Sequence, residues 1–246
     1  MFITAPKAEL FLESIKSEVE EIIASGQNNS ARELSAATKQ RFAIDLFPQY
    51  FRGDIGAKIV FVTFNGQDIL VKNRVKFNNF DDYLNVSQEL PDRNSIIEDG
   101  SLGELKRLQF LETFAATKNP DQQLERFYLS LIPYLPVKSF TLSGFTLQIL
   151  QPYVDRVLNL IIEFPRDYVI FCGSGFEQLL KPYTIRKKDL NIQDESDSSP
   201  KKLKFTMLEL VYQDRNFKVG ITHSFTSLGM SAIAHSQYCK QLYDAF

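Results

Sequence analysis

The stretch AKIVFVTFNG, residues 57–66, constrains the fold more than any other part of the chain. It is a short, nearly continuous apolar run, rich in β-branched and aromatic residues, that stops at Asn65-Gly66. A strand with one wet face alternates apolar and polar residues, whereas a strand covered on both faces has no reason to alternate. The run therefore predicts a buried strand in a sheet with helices on both sides. DYVIFCGSGFEQLL, residues 167–180, repeats the pattern and adds a glycine turn and a helix start.

The segments between these strands supply the helices. PKAELFLESIKSEVEEII, residues 6–23, places Leu10, Phe11, Ile15, Val19, Ile22 and Ile23 on one helical face. GELKRLQFLETFAATKN (103–119) and SGFTLQILQPYVDRVLNLIIEF (143–164) also read as helices, the second with a kink expected at Pro152. A last helix is predicted from about Gly229 to Tyr243. RFYLSLIPYLPV (126–137), KLKFTMLELVY (202–212) and NFKVGITHS (216–224) read as further strands, the last two joined by a turn in YQDRN. Residues 191–202, acidic, then Ser/Pro, then basic, read as an exposed loop, and residues 1–55 as a helical segment packed on the core. Strands and helices mix without a long linker or repeat, which predicts a single α/β domain over residues 1–246.

Composition narrows the function classes. The formal net charge of −2 argues against bulk electrostatic attraction to nucleic acid and leaves only a local basic groove for such a partner. Two cysteines cannot build a disulfide framework and suit a reducing compartment, so the expected location is cytoplasmic. No apolar run approaches membrane-spanning length, and no membrane partner is expected. The two His and two Cys stand in no zinc-ligand spacing, so no metal site is expected.

Ligands of open α/β sheets bind beyond the C-terminal ends of the strands. Three predicted strands end in small or polar sequence: FVTFNGQD, IFCGSG and ITHSFTS. Asn65 and Asp68 follow the first; an amide there holds water or reads a polar edge, and a carboxylate orients water, unless both only make a turn. Gly173 and Ser174 follow the second, either offering backbone N–H groups to an anion or closing a tight turn. Cys172 is either a nucleophile or a buried strand residue. His223 follows the third, with Ser224, Thr226 and Ser227 behind it. These are either a donor to a developing anion with phosphate-holding hydroxyls, or a capped strand-to-helix junction. His235 falls mid-helix, where packing is the ordinary role.

Taken together, these strand ends resemble the uracil-DNA glycosylase superfamily. The similarity runs from about residue 56 to the end, on short motifs. It implies a three-layer α/β/α sandwich with a central, mainly parallel four-stranded sheet. GQDIL, residues 66–70, resembles the family's G-Q-D-P-Y and puts Asp68 on the water-activating carboxylate; FNG, residues 64–66, resembles L-N-P-G and puts Asn65 on the water-positioning amide. Both registers lack the family's proline. His223 matches the histidine that donates to the base oxygen as the glycosidic bond breaks, and Ser224, Thr226 and Ser227 fall on phosphate-contacting positions. Ser130-Leu131 stands where the family has a base-reading Thr-Asn pair. The resemblance implies hydrolysis of the N-glycosidic bond of a base flipped from DNA, with Phe77 or Phe80 stacking on the base and no cofactor. The alternative is a non-catalytic module on the same fold, binding a nucleobase or nucleotide, nucleic acid or another protein.

Overall fold

The computed structural model describes residues 5–65, 76–90, 126–138, 141–142, 144–193, 202–222 and 232–246. The chain opens with helices α1 (Pro6–Ser25) and α2 (Asn29–Thr38). Pro6 starts α1 because its fixed φ suits the first turn and its missing N–H has no helical partner to lose. Phe11, Ile15, Val19 and Ile22 form the buried face, and Gly26 ends the helix at φ +71°, its N–H donating to the Ile22 carbonyl at 2.8 Å. Asn28 caps α2 by accepting from the Ala31 N–H. Asn79 and Thr146 cap α3 (Phe80–Gln88) and α4 (Leu147–Glu163) in the same way. Helix α4 continues through Pro152. The predicted helix over 103–119 lies outside the described residues.

The strands are β1 (Phe51–Gly53), β2 (Ile59–Asn65), β3 (Arg126–Ile132), β4 (Tyr168–Cys172), β5 (Thr184–Gln193), β6 (Lys202–Tyr212) and β7 (Arg215–Thr222). Their order in the sheet is β1-β3-β2-β4-β7-β6-β5. Ile59, Val60, Phe61 and Val62 are all buried, as are all five residues of β4. Consecutive burial on a pleated strand means both faces are covered, which is why these runs carry no polar alternation.

Among the described residues the expected four-stranded, mainly parallel sheet is corrected to a seven-stranded mixed one. β4 and β7 are parallel, whereas β1–β3, β5–β6 and β6–β7 are antiparallel. The turn between β6 and β7 explains part of the difference. Gln213 and Asp214 both take positive φ (48° and 59°), the backbone of a two-residue hairpin whose twist matches the flanking strands. A tight hairpin can join only antiparallel neighbours. Strand β1 falls within the segment read as helical. Residues 191–193 and Lys202, read as loop, belong to β5 and β6, and 194–201 lie outside the described residues.

Two compact units make up the chain. The first comprises Met1–Ala57, Val62–Leu90 and Phe127–Pro165. Its core joins α1 to the strands through Phe11, whose ring meets Tyr50 and Phe51, each at 5.9 Å between ring centres. The second comprises Lys58–Phe61, Pro91–Arg126 and Arg166–Phe246. There α5 (Phe176–Leu180) follows β4, and α6 (Ala232–Ala245) lies on β5 and β6. Tyr238 of α6 meets Phe205 edge-on at 5.3 Å. Gly220 of β7 leaves room for this helix, since a Cβ there would stand 3.1 Å from Leu242.

Candidate functional site

In the second unit the parallel strands β4 and β7 end together, Ile170 opposite Gly220 and Cys172 opposite Thr222. Gly173, at φ +142°, donates its N–H to the Thr222 carbonyl at 2.8 Å and so ties the two ends. The Gly173 and Ser174 carbonyls accept from the N–H groups of Phe176 and Glu177 at 3.2 and 3.1 Å. The N–H groups of Gly173, Phe176 and Glu177 are thus bonded to protein carbonyls, the arrangement of a tight turn.

Cys172 is buried at this edge. Tyr238 approaches from α6, fully buried, with no partner for its hydroxyl. Burial pushes its phenol well above the usual range, and Cys172 and Cys239 add to the shift. Cys239 is itself pushed up to about 12 by burial, which keeps it a thiol and a poor nucleophile at neutral pH. His223, Ser224, Thr226 and Ser227 follow Thr222 in sequence and lie outside the described residues. His235 belongs to α6, with its side chain outside that description.

In the first unit Asn65 is the last residue of β2, half-buried, its carbonyl accepting from Thr63 Oγ1 at 3.2 Å. Asp68 lies outside the described residues. Phe77 is buried in an aromatic cluster, its ring 4.8 Å from Phe47 and 5.4 Å from Tyr83. Phe80 is half-buried and stacks on Tyr83 at 6.0 Å. Both rings are occupied by core contacts. Ser130 is buried in β3; its N–H donates to the Tyr50 carbonyl at 2.9 Å, and its carbonyl accepts from Arg156 at 3.3 Å.

A further polar cluster in this unit is one that sequence reasoning missed. Tyr50 donates its hydroxyl to Oε2 of Glu18 on α1. Ser30 and Tyr134 also turn their hydroxyls toward that carboxyl. Arg156 on α4 lies over the Tyr50 and Tyr153 rings, 4.7 and 5.1 Å from their centres. Its Nη2 donates to the carbonyls of Ser130 and Leu131 at 3.3 and 2.6 Å. The signal was present in the pattern. Glu18 stands within the stripe Phe11, Ile15, Ile22, and Arg156 between Tyr153 and Leu160, at helical positions otherwise held by buried or half-buried rings and aliphatics.

Burial raises the Glu18 carboxyl above its ordinary value of 4.5, outweighing the hydrogen bonds and the Arg156 charge that pull it down. The sign of the consequence follows. A folded state that holds the proton more tightly gains stability below the unfolded pKa, and loses that gain as pH rises through the folded one. In urea titrations across pH, the stability of the native chain relative to Glu18→Gln is therefore expected to fall as pH rises from about 4.5 and then to level off. A difference that grew with pH would mean the carboxylate is favoured in the fold.

No protein-family model matches the chain, and no curated protein matches it. Among the described residues, no group of His, Cys, Asp or Glu is placed to hold a metal ion. No helix among them is long and apolar enough to cross a membrane.

Proposed function

We propose that the chain is a divergent DNA glycosylase-like hydrolase that cleaves the N-glycosidic bond of a flipped base. One observation carries the reading: parallel β4 and β7 end in register at Cys172 and Thr222, and His223 is the next residue. Residues just beyond the C-terminal ends of parallel strands are where open α/β sheets hold ligands. In this reading His223 donates to the departing base, stabilising its developing negative charge. Asn65 or Asp68 holds the attacking water, and Ser224, Thr226 and Ser227 hold the DNA backbone. The buried Phe77 and stacked Phe80 leave base stacking to another group.

The test is incubation with oligonucleotides carrying uracil, hypoxanthine or mismatched bases, followed by alkali to reveal abasic sites. Product is expected from at least one of them; none from any would sink the reading. On a responsive substrate, Asn65→Ala and Asp68→Ala decide the register. The residue that manages water is expected to cost at least about a hundredfold in rate, and the other less than about tenfold.

A second reading, a non-catalytic binding module, is favoured by Ser130. Ser130, which the resemblance aligns with a base-reading pair, is buried, and its carbonyl is taken by Arg156. Saturable oligonucleotide or nucleotide binding without any base release would select it.

A further inference from the structure

We propose that strand β5 is a docking edge for an extended acidic segment of a partner protein, which adds to the sheet as a further strand. Among the described residues β5 is the last strand of the sheet and pairs only with β6. It is ten residues long, and from Arg186 to Gln193 its register with β6 is unbroken. Ile185 through Asp189 are all exposed, Ile185 at 61%. Consecutive exposure on a pleated strand leaves both faces of this stretch open, the reverse of the covered strands β2 and β4. An edge strand also presents a row of N–H and C=O groups on its outer side, which another backbone can match.

The charges decide which kind of strand fits. Directly opposed residues of antiparallel strands share a face. Lys188 opposes Met207, and Met207 opposes Gly220, where a Cβ would meet Leu242 of α6. Lys188 and, two residues away, Arg186 therefore lie on the α6 side of the sheet, while Lys187 and Asp189 lie on the other. On that other side the charges are closed among themselves. Lys187 reaches Glu177 and Asp189, Lys204 reaches Asp189 at 3.2 Å, and Asp189 accepts from Thr206 Oγ1 at 2.7 Å. On the α6 side Arg186 has Glu209 at 3.8 Å, and Lys188 has no ion-pair partner among the described residues.

A partner strand with carboxylates at alternate positions sets them opposite Arg186 and Lys188, and opposite charges facing across strands favour pairing. A second copy of the chain is the poorer occupant. Antiparallel pairing of β5 with itself about a two-fold axis sets one residue against its own copy. Near the middle of the charged stretch that residue is Lys187, Lys188 or Asp189, and like charges there oppose pairing. Edge lysines guard a sheet against such pairing, and the same guard admits an acidic strand. A nucleic acid would meet the cations with its phosphates, but it carries no alternating N–H and C=O groups to match the outer row.

The experiment is fluorescence anisotropy of the full chain with labelled peptides of about seven residues, alternating valine with glutamate or valine with lysine. Saturable binding of the glutamate peptide is expected, with the lysine peptide at least about tenfold weaker. The double variant Arg186→Glu/Lys188→Glu, shown to be folded by circular dichroism, is expected to reverse that order. If it does not fold, the native chain decides through the peptides alone. Alternate N–H groups of a strand point to opposite sides, so N-methylating the glutamates and N-methylating the valines are expected to differ in effect by at least about tenfold. No saturable binding, a lysine peptide bound as tightly, or equal effects of the two methylations each overturns the proposal. So does an unchanged order in the folded double variant, or displacement of the peptide by an undamaged oligonucleotide. Strand β5 holds none of the residues on which the proposed function rests, and no probe carries a damaged base, so failure here and failure of that reading are distinguished.

Discussion

Gly144→Ala is expected to destabilise the chain by about 3 kcal/mol or more, through two separable causes. Gly144 sits at φ +92°, where an L side chain is strained, and a Cβ there would stand 2.3 Å from the Thr38 carbonyl oxygen. That oxygen is backbone at the end of α2, where Lys39 already turns left-handed at φ 59°, so it cannot yield by a rotamer change. Gly26→Ala is the matched control, because Gly26 also has positive φ (71°) but meets nothing within 4 Å. The control is expected to cost about 1–2 kcal/mol, the backbone strain alone. Urea denaturation of both variants measures the difference. Equal losses would show that the approach of Gly144 to α2 contributes nothing.

His223→Ala is expected to lower the single-turnover rate of base release at least about a hundredfold, with oligonucleotide affinity little changed. The reason lies in where the charge develops. A departing base carries electrons from the broken glycosidic bond, and a donor aimed at its oxygen acts mainly in the transition state. Ser224→Ala and Thr226→Ala are expected to show the opposite pattern, weaker binding with a smaller loss of rate, because backbone contacts are made before and during the reaction alike. A His223→Ala enzyme with unchanged rate would take the histidine out of the chemistry and leave it as a strand-to-helix junction.

How much of this was legible in the sequence depends on how local each signal is. The buried strands β2 and β4 could be read because four and five consecutive buried residues leave no other placement for such runs. Helix α1 could be read from its stripe, and β6 and β7 from their length and the turn between them. Strand β5 was hidden by its chemistry. Thr184–Gln193 carries Arg186, Lys187, Lys188 and Asp189, all exposed, and is held by its ladder with β6. Lys187 pairs with Glu177 and Asp189, and Lys204 also reaches Asp189, partners that no window of adjacent residues contains together.

The candidate site divides along the same line. The strand ends were readable as places, since an apolar run must stop somewhere and stops in small or polar residues. What they do was not. The Gly173 N–H proves to be tied to Thr222, and Phe77 to Phe47 and Tyr83, through contacts that depend on distant segments. Glu18 and Arg156 come from helices far apart in the chain and meet at Tyr50, which donates to the one and whose ring lies against the other. Each alone looks like an ordinary polar residue on a helix.

The proposed chemistry is tested most directly by following both products and the oxygen of water through one turnover. A duplex carrying the most responsive base is incubated in ¹⁸O-labelled water, and the free base and the remaining strand are analysed by mass spectrometry. Hydrolysis of an N-glycosidic bond releases intact base and an abasic strand in equal amounts, with the label on the sugar. That is the result expected here, and His223→Ala should slow the appearance of both products together. Strand scission with the base still attached, label on the base as in deamination, or no base release at all would contradict it.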